Sequence, residues 1–142
     1  MYYITCEAAF DSAHFLSGYS GKCSNLHGHR WTVQAKIKGE LCGRGQHRGM
    51  VADFGDIKRD LREIADAMDH TLIYEEGSLR ESTLAALYEE GFSVYPVPFR
   101  PTAENLSRYI YGRMEDCGRS HGYEVYSVTV WETPGNGAEY IP

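Results

Sequence analysis

Residues 29–38, HRWTVQAKIK, alternate without a break. Trp31, Val33, Ala35 and Ile37 fall on one face, and Thr32, Gln34, Lys36 and Lys38 on the other. A period of two with an apolar side and a charged side is a strand that rests one face on a core and keeps the other in water. The same pattern opens the chain, where Ile4, Cys6, Ala8 and Phe10 alternate with Tyr3, Thr5, Glu7 and Ala9.

Beyond these strands the period changes. GRGQHRG reads as a polar turn and MVADF (50–54) as a short strand. Over residues 54–68, Phe54, Ile57, Leu61, Ile64, Ala65 and Met68 recur at helical spacing, with Asp53 placed to cap them. Ser78 and Glu81 form the spacing of a capping box for a second helix, with Leu84, Leu87 and Tyr88 facing inward until Gly91 stops it. FSVYPVPFR is an edge strand or an extended connector, because Pro96 and Pro98 donate no ladder hydrogen bond. Thr102 is placed to cap a third helix through about Cys117, with Leu106, Ile110 and Met114 inside and Gly118 at its stop; YEVYSVTVWETP supplies the last clear strand. The order β, β, short β, α, α, α, β lacks the alternation of a parallel α/β sheet and predicts an antiparallel α+β fold. At 142 residues the chain suits a single domain spanning 1–142.

A net charge of −6 argues against nonspecific nucleic-acid or anionic-membrane surfaces, so an anionic ligand needs specific groups. The opening MYYITCEAAF has no basic segment followed by an apolar run, and no apolar stretch reaches about 18 residues, so the expectation is a cytoplasmic protein. Cys6, Cys23, Cys42 and Cys117 are scattered and contain no C-x-x-C, which predicts reduced thiols.

The chemistry concentrates in KCSNLHGHRWTV, residues 22–33. His27 and His29 stand two apart, so on a strand both imidazoles point to the side of Trp31 and Val33. If the first strand continues without a bulge, His14 shares the parity of Phe10 and pairing brings a third imidazole alongside. Three histidines leave Zn²⁺ an open position for water or substrate, the arrangement of a catalytic site. Cys23 has three readings: a fourth ligand closing the site, a nucleophile or base beside the metal, or a small buried residue. Asp69-His70 follows the last apolar residue of the first helix, where an imidazole suits the helix dipole or, tuned by a carboxylate, proton transfer. Glu132, near the end of the last strand, is either a solvated acid or an acceptor for a paired N–H edge. Glu104 sits where a helix's first turn favours an acid without any function.

In order along the chain, FDSAHFL, CSNLHGH, VADFGDIK, DH, PTAENL and WETP resemble the 6-pyruvoyl-tetrahydropterin synthase family, and most closely its bacterial 6-carboxy-tetrahydropterin synthase branch, whose C-x3-H-G-H matches Cys23 to His29. The resemblance implies the tunnelling fold, an antiparallel sheet with helices on one face. Its subunits close into a β-barrel and stack into a homo-oligomer, trimer-based and most often hexameric, with active sites between chains. It implies Zn²⁺ on His14, His27 and His29, Cys23 as general base, Asp69 and His70 as a proton relay, and Glu132 as the pterin anchor, with Thr102 and Glu104 also near substrate. The substrate it implies is 7,8-dihydroneopterin triphosphate, converted to 6-carboxy-5,6,7,8-tetrahydropterin with release of acetaldehyde and triphosphate, a step toward queuosine. One departure stands out. Compact members pass quickly from Asp-His to the PTAEN helix, whereas here residues 71–100 intervene, and Lys22, Arg80 and Arg100 become candidates for gripping the triphosphate.

Three rivals remain at this level. The pyruvoyl-type lyase shares the same ligands. A cupin-like iron or manganese oxygenase also uses H-x-H with a distant glutamate, but it would be all-β. A pterin-binding or purely zinc-stabilised module would keep the metal site without turnover.

Overall fold

The computed structural model describes all 142 residues. The chain runs β1 (Tyr2–His14), a 3-10 turn (Lys22–Ser24), β2 (His27–Gly39), α1 (Phe54–Met68), β3 (Thr71–Glu75), α2 (Glu81–Glu89), β4 (Val94–Val97), α3 (Ala103–His121), β5 (Glu124–Thr133) and β6 (Asn136–Tyr140). The strands form one sheet in the order β4-β3-β1-β2-β5-β6, curled into a half-barrel. The α+β architecture and the helix-covered face expected from the sequence are both present.

The two long alternating strands pair antiparallel along their whole length, from Tyr2 opposite Gly39 to His14 opposite His27, with no bulge between them. Their inward residues Cys6, Phe10, Trp31, Val33, Ala35 and Ile37 are buried under α1 and α3. Those helices contribute Ile57, Leu61, Met68, Leu106, Ile110 and Met114, all essentially inaccessible. Each such aliphatic or Phe side chain contributes about 1.5–3 kcal/mol on burial. The opposite face of the sheet stays wet and is crossed by polar pairs, with Gln34 bound to Glu7 at 2.8 Å and Lys38 to Glu124 at 2.9 Å.

Two of the three anticipated caps are made. Asp53 accepts from the Gly55 N–H at 2.7 Å, and Thr102 Oγ1 accepts from the Asn105 N–H at 3.2 Å. At the far end of α3, Asp60 of α1 is buried and accepts from the Tyr123 hydroxyl (2.9 Å) and from His121 Nδ1 (2.7 Å), which satisfies the carboxylate and stitches the two helices together.

Several local expectations change. The antiparallel pairing holds for β1, β2, β5 and β6, whereas β3 lies parallel to both β1 and β4. For β4 the cause is the intervening segment 71–100, since β3-α2-β4 is a crossover unit and only a crossover of this length returns a strand parallel to its neighbour; β3 reaches the side of β1 through β2 and α1. Pro96 sits on the resulting edge strand, as a residue without an N–H should. Residues 50–53 form no sheet strand; the Met50 carbonyl pairs with Cys42 N–H inside the loop and Asp53 is committed to its cap. Ser78 caps nothing on α2, because its hydroxyl donates back to the Glu75 carbonyl at 2.5 Å and the helix begins after Arg80. No residue of α2 is buried: Leu84 and Leu87 are half-covered and Tyr88 is 60% exposed. Gly118 does not end α3, which continues to His121 and stops at Gly122 in the left-handed conformation (φ 80°). At Gly118 a side chain would collide with the Tyr123 backbone, so glycine there serves packing. An all-β cupin architecture is excluded by the three helices.

Candidate metal centre and substrate cavity

The pairing of β1 with β2 builds the centre. With His14 opposite His27, Ser12 opposite His29 and Phe10 opposite Trp31, the unbroken alternation delivers three imidazoles to the covered face at the open end of the sheet. Their ring centroids lie 4.6, 4.9 and 5.1 Å apart. Trp31 forms the floor, its ring edge-on to His14 at 4.9 Å and to His29 at 5.6 Å. Glu132, near the end of β5, closes the group, and one donor atom from each of the four residues falls within 4.8 Å of the others.

The hydrogen bonds reveal which nitrogens face the centre. His14 Nδ1 meets the Pro101 carbonyl at 2.7 Å, and His27 Nδ1 meets the Asn25 carbonyl at 2.6 Å. A carbonyl only accepts, so both rings carry their proton on Nδ1 and present an Nε2 lone pair inward. Burial also pushes His14 below the ordinary histidine range, which keeps that ring neutral at pH 7. The Nε2 atoms of all three histidines are buried without a hydrogen-bond partner. Glu132 Oε1 lies 3.0 Å from Nε2 of His14 and of His29, but neither approach is aligned as a hydrogen bond. Leaving a buried polar atom unpaired costs about 1–3 kcal/mol, and three convergent cases are what a divalent cation would relieve. Carbonyl-held Nδ1–H groups are the usual outer support of metal-binding histidine. Three convergent imidazoles with one nearby carboxylate therefore fit a zinc-like ion.

Cys23 lies on the 3-10 turn just before these histidines as a half-buried free thiol, outside the four-residue group. The turn is anchored where Leu16 N–H donates to the Cys23 carbonyl at 2.9 Å.

Beside the centre, His14, Thr102, Glu104, Glu132 and Asn136 border a cavity of about 260 Å³. Thr102 reaches it while its hydroxyl caps α3. Asn136 and its neighbours on β6 were not foreseen from sequence, because NGAEY shows no apolar alternation; the Pro134-Gly135 turn after β5 was the available signal.

Asp69 and His70 go elsewhere. Asp69 Oδ1 accepts from the Asp11 N–H at 2.8 Å, and its Oδ2 takes His70 Nδ1–H at 2.8 Å, so His70 turns Nε2 outward. His70 has φ 55°, a left-handed conformation that turns the chain from α1 into β3; its side chain is 79% exposed. It lines a second cavity of about 660 Å³ with His29, Asp11, Arg30, Leu26, Leu87 and Phe92, so this cavity also borders the imidazole centre. The Asp11 amide first, and the His70 ring second, hold the Asp69 carboxyl below its usual range. A depressed carboxyl stabilises the fold above the unfolded value, about 3.9, and that contribution fades as pH falls through the folded value, so the clasp is whole at neutral pH and loosens only in acid.

Of the triphosphate candidates, Lys22 and Arg80 are exposed, and Arg100 donates from Nη2 to the Ser17 carbonyl at 2.7 Å. No helix is long and apolar enough to cross a membrane.

Comparison with known proteins agrees with this geometry. The family described as 6-pyruvoyl tetrahydropterin synthase matches residues 3–142. A Haemophilus influenzae protein named 6-carboxy-5,6,7,8-tetrahydropterin synthase is 40% identical over 142 residues, covering 99% of each chain. A Rickettsia bellii protein of the same name is 34% identical over 137 residues, covering 92% of this chain and 93% of its own. Among solved structures, an uncharacterised Wolinella succinogenes protein superimposes with a TM-score of 0.81 at 23% identity, covering 99% and 97% of the two chains, and shows the same fold. On the imidazole centre, the fold and these matches together, the chain belongs to the 6-pyruvoyl tetrahydropterin synthase family.

Proposed function

We propose that this protein is a zinc-dependent lyase that converts 7,8-dihydroneopterin triphosphate and one water to 6-carboxy-5,6,7,8-tetrahydropterin, acetaldehyde and triphosphate, on the route to queuosine and other 7-deazapurines. The observation that carries the reading is the set of three buried, partnerless Nε2 atoms, in a chain 40% identical along 99% of its length to a protein of that name.

His14, His27 and His29 would hold the ion. Bound there, Zn²⁺ supplies a Lewis acid that polarises the side-chain oxygens of the substrate and acidifies the neighbouring C–H. Cys23, on the short turn that precedes His27 along the chain, takes that proton. Glu132, at the border of the 260 Å³ cavity, accepts the paired N–H edge of the pterin ring. Thr102 and Glu104 complete the same wall. His70 returns a proton through Nε2, with Asp69 fixing the opposite nitrogen.

We further propose a cytoplasmic homo-oligomer built on trimers, most simply a hexamer, with each site shared between chains and residues 1–142 acting as one catalytic unit. Two observations support this. A cavity of about 260 Å³ is smaller than the roughly 300–1,000 Å³ of ordinary ligand pockets. His70 and Glu132 line separate cavities, with His29 in the wall of the first, and a site shared between chains would let one substrate reach both groups.

The test is to supply dihydroneopterin triphosphate to the zinc-loaded protein and assay acetaldehyde. Stoichiometric acetaldehyde with a carboxy-pterin is the expected result. A pyruvoyl product without acetaldehyde would transfer the protein to the sister lyase reaction, and no turnover at all would leave a pterin-binding zinc module.

A further inference from the structure

The loop between β1 and β2, residues 15–26, carries Cys23, yet neither strand fixes its course. Its restraints are bonds within the loop together with bonds from other elements. Leu16 N–H holds the Cys23 carbonyl at 2.9 Å, and the next residue, Ser17, is gripped from two sides. The Ser17 carbonyl accepts from Arg100 Nη2 at 2.7 Å, and the Ser17 hydroxyl donates to Glu75 Oε2 at the end of β3 at 3.2 Å. Gly18 follows with φ 73°, and a Cβ on it would sit 3.4 Å from the same Nη2, so the guanidinium packs against the turn as well as bonding to it.

Arg100 is itself anchored. Its carbonyl accepts from Thr102 N–H at 2.8 Å and from Asn105 Nδ2 at 3.0 Å, which ties its backbone to the first turn of α3. The adjacent Pro101 offers the carbonyl that fixes the His14 tautomer at 2.7 Å. Two successive residues at the head of one helix therefore reach both parts of the centre: Pro101 sets a histidine and Arg100 sets the loop that bears the thiol.

We propose that Arg100 is a positioning residue for Cys23, acting through Ser17 and Leu16 to hold the thiol-bearing turn at the imidazole centre, and that it is not an anchor for the triphosphate. The inference rests on Cys23 being the base. Arg100 is absent from the walls of the cavity shared by His14, Glu104 and Glu132, and the bond its guanidinium makes goes to a backbone carbonyl of the loop. The charge-assisted N–H···O bond replaces what would otherwise be a loop free to carry the thiol out of line. Small misplacements of a reacting group are expensive: about 1 Å costs on the order of 100-fold in rate.

The experiment uses the full-length zinc protein with Arg100→Ala and Arg100→Lys, reading kcat and KM separately. Iodoacetamide labelling of Cys23 is resolved by mass spectrometry, with the exposed Cys42 as internal reference. Positioning predicts that Arg100→Ala lowers kcat by about 10- to 100-fold with KM nearly unchanged, since ground-state binding is not what it removes. It also predicts an altered Cys23 labelling rate relative to Cys42, an unchanged zinc content, and partial recovery of kcat in Arg100→Lys, which keeps one donor. A raised KM with normal kcat and normal labelling would identify a triphosphate anchor and overturn the proposal, as would a variant indistinguishable from wild type. Should Arg100→Ala fail to fold, Gly18→Ala strains the turn that Arg100 holds, because φ 73° disfavours alanine, and must show the same lowered kcat and altered labelling. Cys23→Ala separates the two ideas. If that variant is fully active the base assignment falls; if it is inactive while Arg100→Ala is normal, only the positioning role falls.

Discussion

Replacing His27 with alanine is expected to leave a folded chain that no longer carries stoichiometric zinc and no longer turns over. His27 opens β2, its ring is half-exposed apart from the buried Nε2, and it lies outside the apolar core, so truncation opens no large cavity. The stability cost should stay near the ordinary value for a point mutation, about 1 kcal/mol. The metal cost is far larger. Losing an outer-shell partner of a ligand already lowers metal affinity by about 10- to 100-fold, and losing a ligand removes one of only three nitrogen donors. Metal analysis after dialysis against a mild chelator, beside a thermal melt, checks both halves of the expectation. A variant that keeps one zinc per chain would remove His27 from the ligand set.

Cys23→Ala has the opposite signature. The thiol stands outside the four-residue group, so zinc content and melting temperature should match wild type while acetaldehyde production falls by about 10²–10⁴-fold, the usual contribution of a positioned proton acceptor. If zinc disappears together with activity, Cys23 is a fourth ligand and the site is closed and structural. If activity survives, the base is another group. These two substitutions together separate metal binding from proton transfer within five residues of sequence.

The histidine trio was legible because a strand's period of two is rigid. Once His14, His27 and His29 shared parity with Phe10 and Trp31, only a bulge could have separated them, and none occurs. The helices α1 and α3 were legible for a similar reason, since Ile57, Leu61, Met68, Leu106, Ile110 and Met114 repeat at helical spacing and meet one sheet face. What escaped depended on partners distant in sequence. TLIYE is too short to declare itself a strand, and its parallel pairings follow from the connections through α1 to β1 and through α2 to β4. Leu84, Leu87 and Tyr88 have inward spacing but find no core to cover. Backbone carbonyls leave no mark in the sequence, so the roles of Pro101 and Asn25 in setting the imidazole tautomers appear only once the chain is folded. Arg100 shows the same limit from the other side: as an isolated letter it suggested an anion, whereas in the fold it holds the Ser17 carbonyl.

The central claim is that three imidazoles, and no thiolate, surround one divalent ion. X-ray absorption at the zinc edge of the isolated protein reads this directly. The account predicts one zinc per chain with nitrogen and oxygen neighbours at about 2.0–2.2 Å and no sulfur. A sulfur shell near 2.3 Å, or protein that binds no zinc when it is supplied, would contradict it.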